Sequence, residues 1–185
     1  MMWISLSMKI LIAKDEEDIA LVYEKALETR KHEIAITFKG EDCLKTYHDK
    51  VYYMKFQTLP SLSRYSTNTS PFDILLLDYK LPDMNGMEVA KEILAVNPHQ
   101  RIIFVSAYVK ETLQDSVKEL HQIVELMQKP FDIDELIDTI EDEEVYNELK
   151  RLNVDIDVIK AANPTHEQII DLLERLRKIG KMRAF

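Results

Sequence analysis

Four apolar stretches of this sequence each end in side chains suited to handling an anionic group. KILIA (Lys9 to Ala13) runs into Lys14, Asp15 and Glu16; FDILLLD closes on Asp78; RIIFVSA carries Ser106 near its end; and IVELM is followed by Lys129 and Pro130. Two carboxylates, with backbone carbonyls and water, form the hard oxygen set that Mg²⁺ prefers. Lys129 is a cation on a flexible stem that can reach an anionic group on Asp78, and the Ser106 hydroxyl can donate to the same group. Brought onto one rim, these ends make a phosphoryl site built from side chains.

The elements that must bring them together follow from hydrophobic period. KILIA is of strand length, and Glu17 to Leu27 carries apolar residues at helical spacing. Glu33 to Phe38 alternates, ends at Gly40, and leads into a helical stretch from Glu41 to about Lys55. After a Ser/Thr/Pro-rich segment from Gln57 to Pro71, FDILLLD is too continuously apolar for a one-sided sheet and reads as a central parallel strand. The turn LPDMNG, in which Gly86 is expected to supply a backbone angle, precedes a helix over Met87 to Val96 that ends by Pro98. RIIFVSA is the fourth strand, Lys110 to Leu120 the fourth helix and IVELM the fifth strand, and Asp132 begins the fifth helix. Five βα repeats in strict order predict a doubly wound parallel sheet with helices on both faces, whose ligands sit beyond the carboxyl ends of the strands.

Composition bounds the function. At 185 residues the chain holds one domain and an appendage, and 46% hydrophobic with 31% charged residues is ordinary for a globular protein. Its one cysteine, Cys43, forms no internal disulfide, which points to a reducing interior such as the cytoplasm. The longest apolar run, Ile19 to Tyr23, is far short of the ~20 residues of a membrane span, so no membrane insertion is expected. Residues 1 to 7 are expected to be a frayed extension before the first strand. A net charge of −9 disfavours nonspecific nucleic-acid binding. With three glycines in the chain and no Gly-rich loop after the first strand, a dinucleotide-binding fold is excluded.

The constellation resembles the receiver domain of two-component response regulators (CheY-like) over about residues 8 to 141, carried by KILIAKDEED, LLLDYKLPDMNG, FVSA and MQKP, four motifs in order at strand ends. The resemblance implies that Asp78 accepts a phosphoryl group from a sensor histidine kinase. It further implies that Asp15, Asp78 and the Lys80 backbone carbonyl hold Mg²⁺, while Ser106 and Lys129 bind the phosphoryl oxygens; Glu16 or Glu17 is the expected substitute for the acid missing at position 14. A carboxylate nucleophile needs no general base; cations must instead offset the approach of one anion to another. Two departures stand out. Lys14 occupies the place of the first of two adjacent acids, so Mg²⁺ is expected to bind more weakly while phosphorylation is retained, with Lys14 pairing with Asp78 as one way to mimic the ion. Leu126 replaces an aromatic whose rotation reports phosphorylation in the family, leaving Tyr108 as the nearest aromatic on the rim.

Beyond residue 141, helical pattern continues to about Leu152, then over Asp155 to Ala161, and again after Pro164, where Thr165 and Gln168 make a capping box. In this 142 to 185 extension Ile169, Leu172, Leu176 and Ile179 form an apolar stripe that must pack on its own chain or on a second copy in a homodimer. Residues 131 to 160 hold eleven Asp or Glu, and DNA contact, resting on Arg175, Arg177, Lys178, Lys181 and Arg183, is the weaker reading beside a downstream protein target. Two rivals differ in class. A degenerate receiver would bind partners without phosphorylation, as Lys14 suggests; a haloacid-dehalogenase-type phosphohydrolase would need a second Asp where Lys80 stands.

Overall fold

The structure, a computed structural model, describes residues 7–57, 70–107, 124–162, 164 and 166–182. Its elements are β1 (Lys9–Ala13), α1 (Glu17–Thr29), β2 (Glu33–Thr37), α2 (Gly40–Gln57), β3 (Ile74–Asp78), α3 (Gly86–Val96), β4 (Arg101–Ser106), β5 (Val124–Gln128), α4 (Ile133–Arg151), α5 (Ile156–Ala161) and α6 (His166–Met182). The expectations for the 110 to 120 helix, Tyr108, the Thr165 cap, residues 1 to 6 and residues 58 to 69 lie outside the described residues. The chain divides into two compact units, Met1–Phe131 and Asp132–Phe185.

In the first unit the five strands form one all-parallel sheet in the order β2-β1-β3-β4-β5. β3 is buried at every position, as its unbroken apolar run requires of a central strand. Alternation along the strands sends Leu11, Ala13, Leu75, Leu77, Ile102 and Phe104 into one core with Cys43 and Tyr47 of α2 and Val89, Ala90 and Ile93 of α3. The intervening Ile10, Ile12, Ile74, Leu76, Ile103 and Val105 are buried on the opposite face. Because the chain goes outward from β1 to β2 and then returns past β1 to β3, winding reverses between β1 and β3, the place where open α/β sheets bind ligands.

The helices are closed by local chemistry. Asn85 and Glu88 form a reciprocal capping box at the start of α3, with bonds of 2.9 and 3.0 Å. α1 ends with Lys31 in the left-handed region (φ 68°), its N–H donating to Glu28 and that of His32 to Leu27. This is a closing motif usually built on glycine. At the amino end of the sheet the Tyr47 hydroxyl donates to Gln100 (2.9 Å), Asn97 donates to Tyr47 and Ser70, and Gln100 donates to the carbonyls of Phe72 and Arg101. This knot fastens the chain where it enters β3.

In the second unit α4 runs unbroken past residue 141 and begins at Asp132, whose carboxylate accepts from the Glu135 N–H at 2.8 Å. Asn153 (φ 60°) closes it with the same motif that ends α1. Val145 and Leu149 of α4 pack with Ile169 and Leu173 of α6, while Leu172 and Leu176 are only partly buried. The apolar stripe of α6 is therefore centred on Leu173 rather than Leu172, and it is covered by α4 of the same chain. Arg175 pairs with Asp171 and Arg177 with Glu148, so two of the cations considered for nucleic acid are engaged with carboxylates.

His166 lies under α4 with Nδ1 2.5 Å from Asp142 and 3.8 Å from Asp138, and Nε2 3.4 Å from Glu141, too long for a well-formed hydrogen bond. The Asp142 bond and the neighbouring acids push its pKa up to about 9 against the opposing effect of burial. A raised folded pKa stabilises fully below the ordinary 6.5 and is lost as pH climbs through about 9. Melting of the full chain is accordingly expected to weaken between pH 6.5 and 9.5, by on the order of 2 kcal/mol, and His166→Gln is expected to flatten that dependence.

Among the described residues no helix is long and apolar enough to cross a membrane.

Candidate functional site

The carboxyl ends of β1, β3, β4 and β5 open into a cleft of about 270 Å³ lined by Lys14, Asp15, Glu16, Asp78, Lys80, Ser106, Ala107 and Lys129. Lys14 follows β1 and extends its ladder, its N–H donating to Thr37 at 3.0 Å. Asp78 is the last residue of β3 and its side chain is 8% exposed. Ser106 ends β4, buried, and its carbonyl accepts the Lys129 N–H at 2.8 Å, which sets Lys129 beside it after β5. The Lys129–Pro130 peptide is cis. Every residue of the expected site is thus present at one cleft.

Gly86 makes the rim possible by clearance. A Cβ there would stand 2.3 Å from the Asp78 carbonyl oxygen, so only a residue without a side chain lets the turn pack against the end of β3. None of the described glycines has positive φ, which replaces the expectation that Gly86 supplies a special backbone angle. The turn is drawn in by the Gly86 N–H donating to the Tyr79 carbonyl at 2.8 Å, and the Lys80 N–H donates to Asp78 Oδ1 at 3.2 Å.

The electrostatic centre of the cleft is Lys14. Although only 2% exposed, its ammonium lies 2.6 Å from Asp15 Oδ1 and 2.7 Å from Asp78 Oδ2, and it also pairs with Glu16 Oε2. Lys129 Nζ reaches the same Asp78 Oδ2 at 3.1 Å and Glu16 at 3.9 Å. Burial works against the charge on Lys14, but the bonds to Asp15, Asp78 and Glu16 outweigh it and hold its pKa above the usual lysine range. Burial likewise pushes the Asp15 carboxyl up, and Lys14 more than reverses this, leaving it below its ordinary value.

The carboxylate oxygens of Asp15, Glu16 and Asp78 lie within 4.8 Å of one another, and they are hard donors of the kind a Mg²⁺ ion takes. Their centre is filled by the ammonium. Since Mg²⁺ needs oxygens at about 2.0–2.1 Å, ion and ammonium compete for one position, and the ion does not fit while Lys14 stays. Sequence reasoning counted Lys14 as a lost acid with pairing to Asp78 as an option; its simultaneous grip on three carboxylates is the added finding. The signal was a lysine set directly before two acids at a strand end. Glu16 belongs to the group, whereas Glu17, considered as its equivalent, opens α1. Leu126, at the position of the family's aromatic, is half-buried against the sheet core.

A doubly wound parallel sheet thus carries a cleft of acids and lysines at its winding reversal. The chain belongs to the response regulator receiver domain family, whose model matches residues 10–141. It is 32% identical over 130 residues to the response regulator ArlR of Staphylococcus saprophyticus, covering 70% of this chain and 49% of that one, so the chain spans about half of that relative. It is 33% identical over 99 residues to sporulation initiation phosphotransferase F of Bacillus subtilis, covering 52% of this chain and 78% of the relative. Among solved structures, the CheX-CheY-BeF3-Mg complex of Borrelia burgdorferi matches with a TM-score of 0.58 at 19% identity, over 73% of this chain and 87% of that one. A CheY-like receiver from Methanospirillum hungatei matches at 0.55 and 20% identity, over 74% of this chain and 93% of the other, and shows the same fold.

Proposed function

We propose that Asp78 is a phosphoacceptor, that it takes its phosphoryl group from a sensor histidine kinase, and that the chain passes the signal on by protein contact with a downstream target. The observation that carries this reading is the convergence of Lys129 and Lys14 on one Asp78 oxygen, at 3.1 and 2.7 Å, with Ser106 lining the same cleft. In the transfer the bond from phosphorus to the donor's nitrogen breaks, its electron pair stays with the imidazole, and an Asp78 oxygen–phosphorus bond forms. Lys129 and Ser106 would hold the phosphoryl oxygens. The naming of two relatives as response regulator and phosphotransferase supports the class.

We assign residues 8–141 to the receiver and 142–185 to a helical extension that serves protein contact, in the cytoplasm, where the buried free thiol of Cys43 is stable. Mg²⁺ is expected to bind more weakly than in Lys14→Asp, because it must displace the ammonium.

Intact-mass measurement of the full chain after incubation with acetyl phosphate tests the assignment: gain of one phosphoryl group is expected. The second reading, a receiver that binds its partner unphosphorylated, is favoured by the same two lysines already neutralising Asp78. A chain that gains no mass under any condition yet still binds its partner would establish it.

A further inference from the structure

We propose that Lys14 is the resident cation of this pocket and that Asp78 accepts its phosphoryl group without a divalent metal. The inference rests on the acceptor reading above and adds what supplies the positive charge.

An ammonium has three N–H donors. Lys14 has three carboxylate partners, Asp15, Glu16 and Asp78, and is almost wholly buried, so its charge is held at the centre of the acid group rather than on a mobile surface stem. The cleft is then lined by three carboxylates and three lysines, of which Lys14 and Lys129 are paired with the acids and Lys80 stands at the rim. Removing Lys14 leaves three acids against Lys129 and the rim Lys80; adding a divalent ion beside Lys14 would press two cations together. The pocket is electrically complete as it stands.

The same geometry serves the transfer. With acetyl phosphate the bond between phosphorus and the acyl oxygen breaks, acetate leaves with the electron pair, and an Asp78 oxygen–phosphorus bond forms. The charge lost by the Asp78 carboxylate leaves with acetate, and the phosphoryl group brings its own anionic oxygens, on the phosphorus now bonded to Asp78, into the cleft. The Lys14 N–H that had served Asp78, with the Lys129 ammonium on the same oxygen, is already in place to meet them, while Asp15 and Glu16 keep Lys14 from following. Charge placed beforehand, needing no rearrangement at the moment of reaction, is the most effective form of electrostatic stabilisation.

The test compares the full chain with Lys14→Asp and Lys14→Gln, each incubated with acetyl phosphate in EDTA or in Mg²⁺ and followed by intact mass. EDTA is expected to slow Lys14→Asp by about 100-fold, the scale of one lost transition-state contact, and to leave the wild type within about threefold. A wild type that gains mass only with Mg²⁺ overturns the inference and leaves the acceptor reading intact. Gain of mass by Lys14→Asp in Mg²⁺, with none by the wild type, overturns it too, since Lys14 would then block the site. If no protein gains mass under any condition, the acceptor reading itself fails. A second measurement needs no phosphoryl donor: at Mg²⁺ concentrations that raise the melting temperature of Lys14→Asp, that of the wild type is expected to stay constant, and an equal rise would show the ion taking the place assigned to Lys14.

Discussion

Asp78→Asn is expected to gain no phosphoryl group from acetyl phosphate and yet to remain folded. An amide has no anionic oxygen to attack phosphorus, so the loss is complete rather than graded. Stability is a separate matter, because the partners of Asp78 are not stranded by the change. Lys14 keeps Asp15 at 2.6 Å as well as Glu16, Lys129 keeps Glu16 at 3.9 Å, and the asparagine oxygen can still accept the Lys80 N–H. The cost should be that of weakened hydrogen bonds, about 1–3 kcal/mol, read as a modest drop in melting temperature. Adduct persisting on a well-folded Asp78→Asn would place the acceptor elsewhere in the chain.

Lys14→Met reverses the pattern, with a large loss of stability. The substitution preserves an unbranched side chain but withdraws the cation from three carboxylates, and breaking a buried ionic group by removing one side of it costs about 3–5 kcal/mol. The sign of the pH dependence follows from Asp15, whose carboxyl is lowered by Lys14 below its ordinary 3.8. A depressed acid stabilises above its unfolded value, and that contribution disappears as pH falls through the folded one. The gap between wild type and variant should therefore be widest at neutral pH and narrow below about pH 4. Chemical denaturation at pH 7 and pH 3.5 measures both. Equal stability at neutral pH would show that the ammonium contributes nothing to the fold.

Most of the architecture was legible because it rests on period. The unbroken ILLL of β3 could only be a strand covered on both faces, and the succession of strand and helix left one winding compatible with short connections. Asp15, Asp78, Ser106 and Lys129 were readable as one site because each closes a parallel strand, and parallel strands in one sheet share a carboxyl rim. What escaped was set by three-dimensional contact. Lys31 and Asn153 end α1 and α4 in the left-handed conformation without the glycine that announces such a stop. The need for glycine at position 86 lies in a carbonyl brought in from β3, eight residues earlier in the chain. On α6 the choice of Leu173 over Leu172 depends on which face meets Val145 and Leu149. The direction of the Lys14 side chain likewise depends on acids supplied by two different strand ends, so composition near position 14 indicates a substitution but not its grip.

The polar knot around Gln100 separates two tasks that the chain would otherwise have to solve together. By anchoring the polypeptide at the amino edge of the sheet, it delivers β3 in register whatever precedes it. Gln100→Leu is thus expected to loosen the entry to β3 and lower the melting temperature while leaving the acid and lysine cleft at the opposite end of the strands intact.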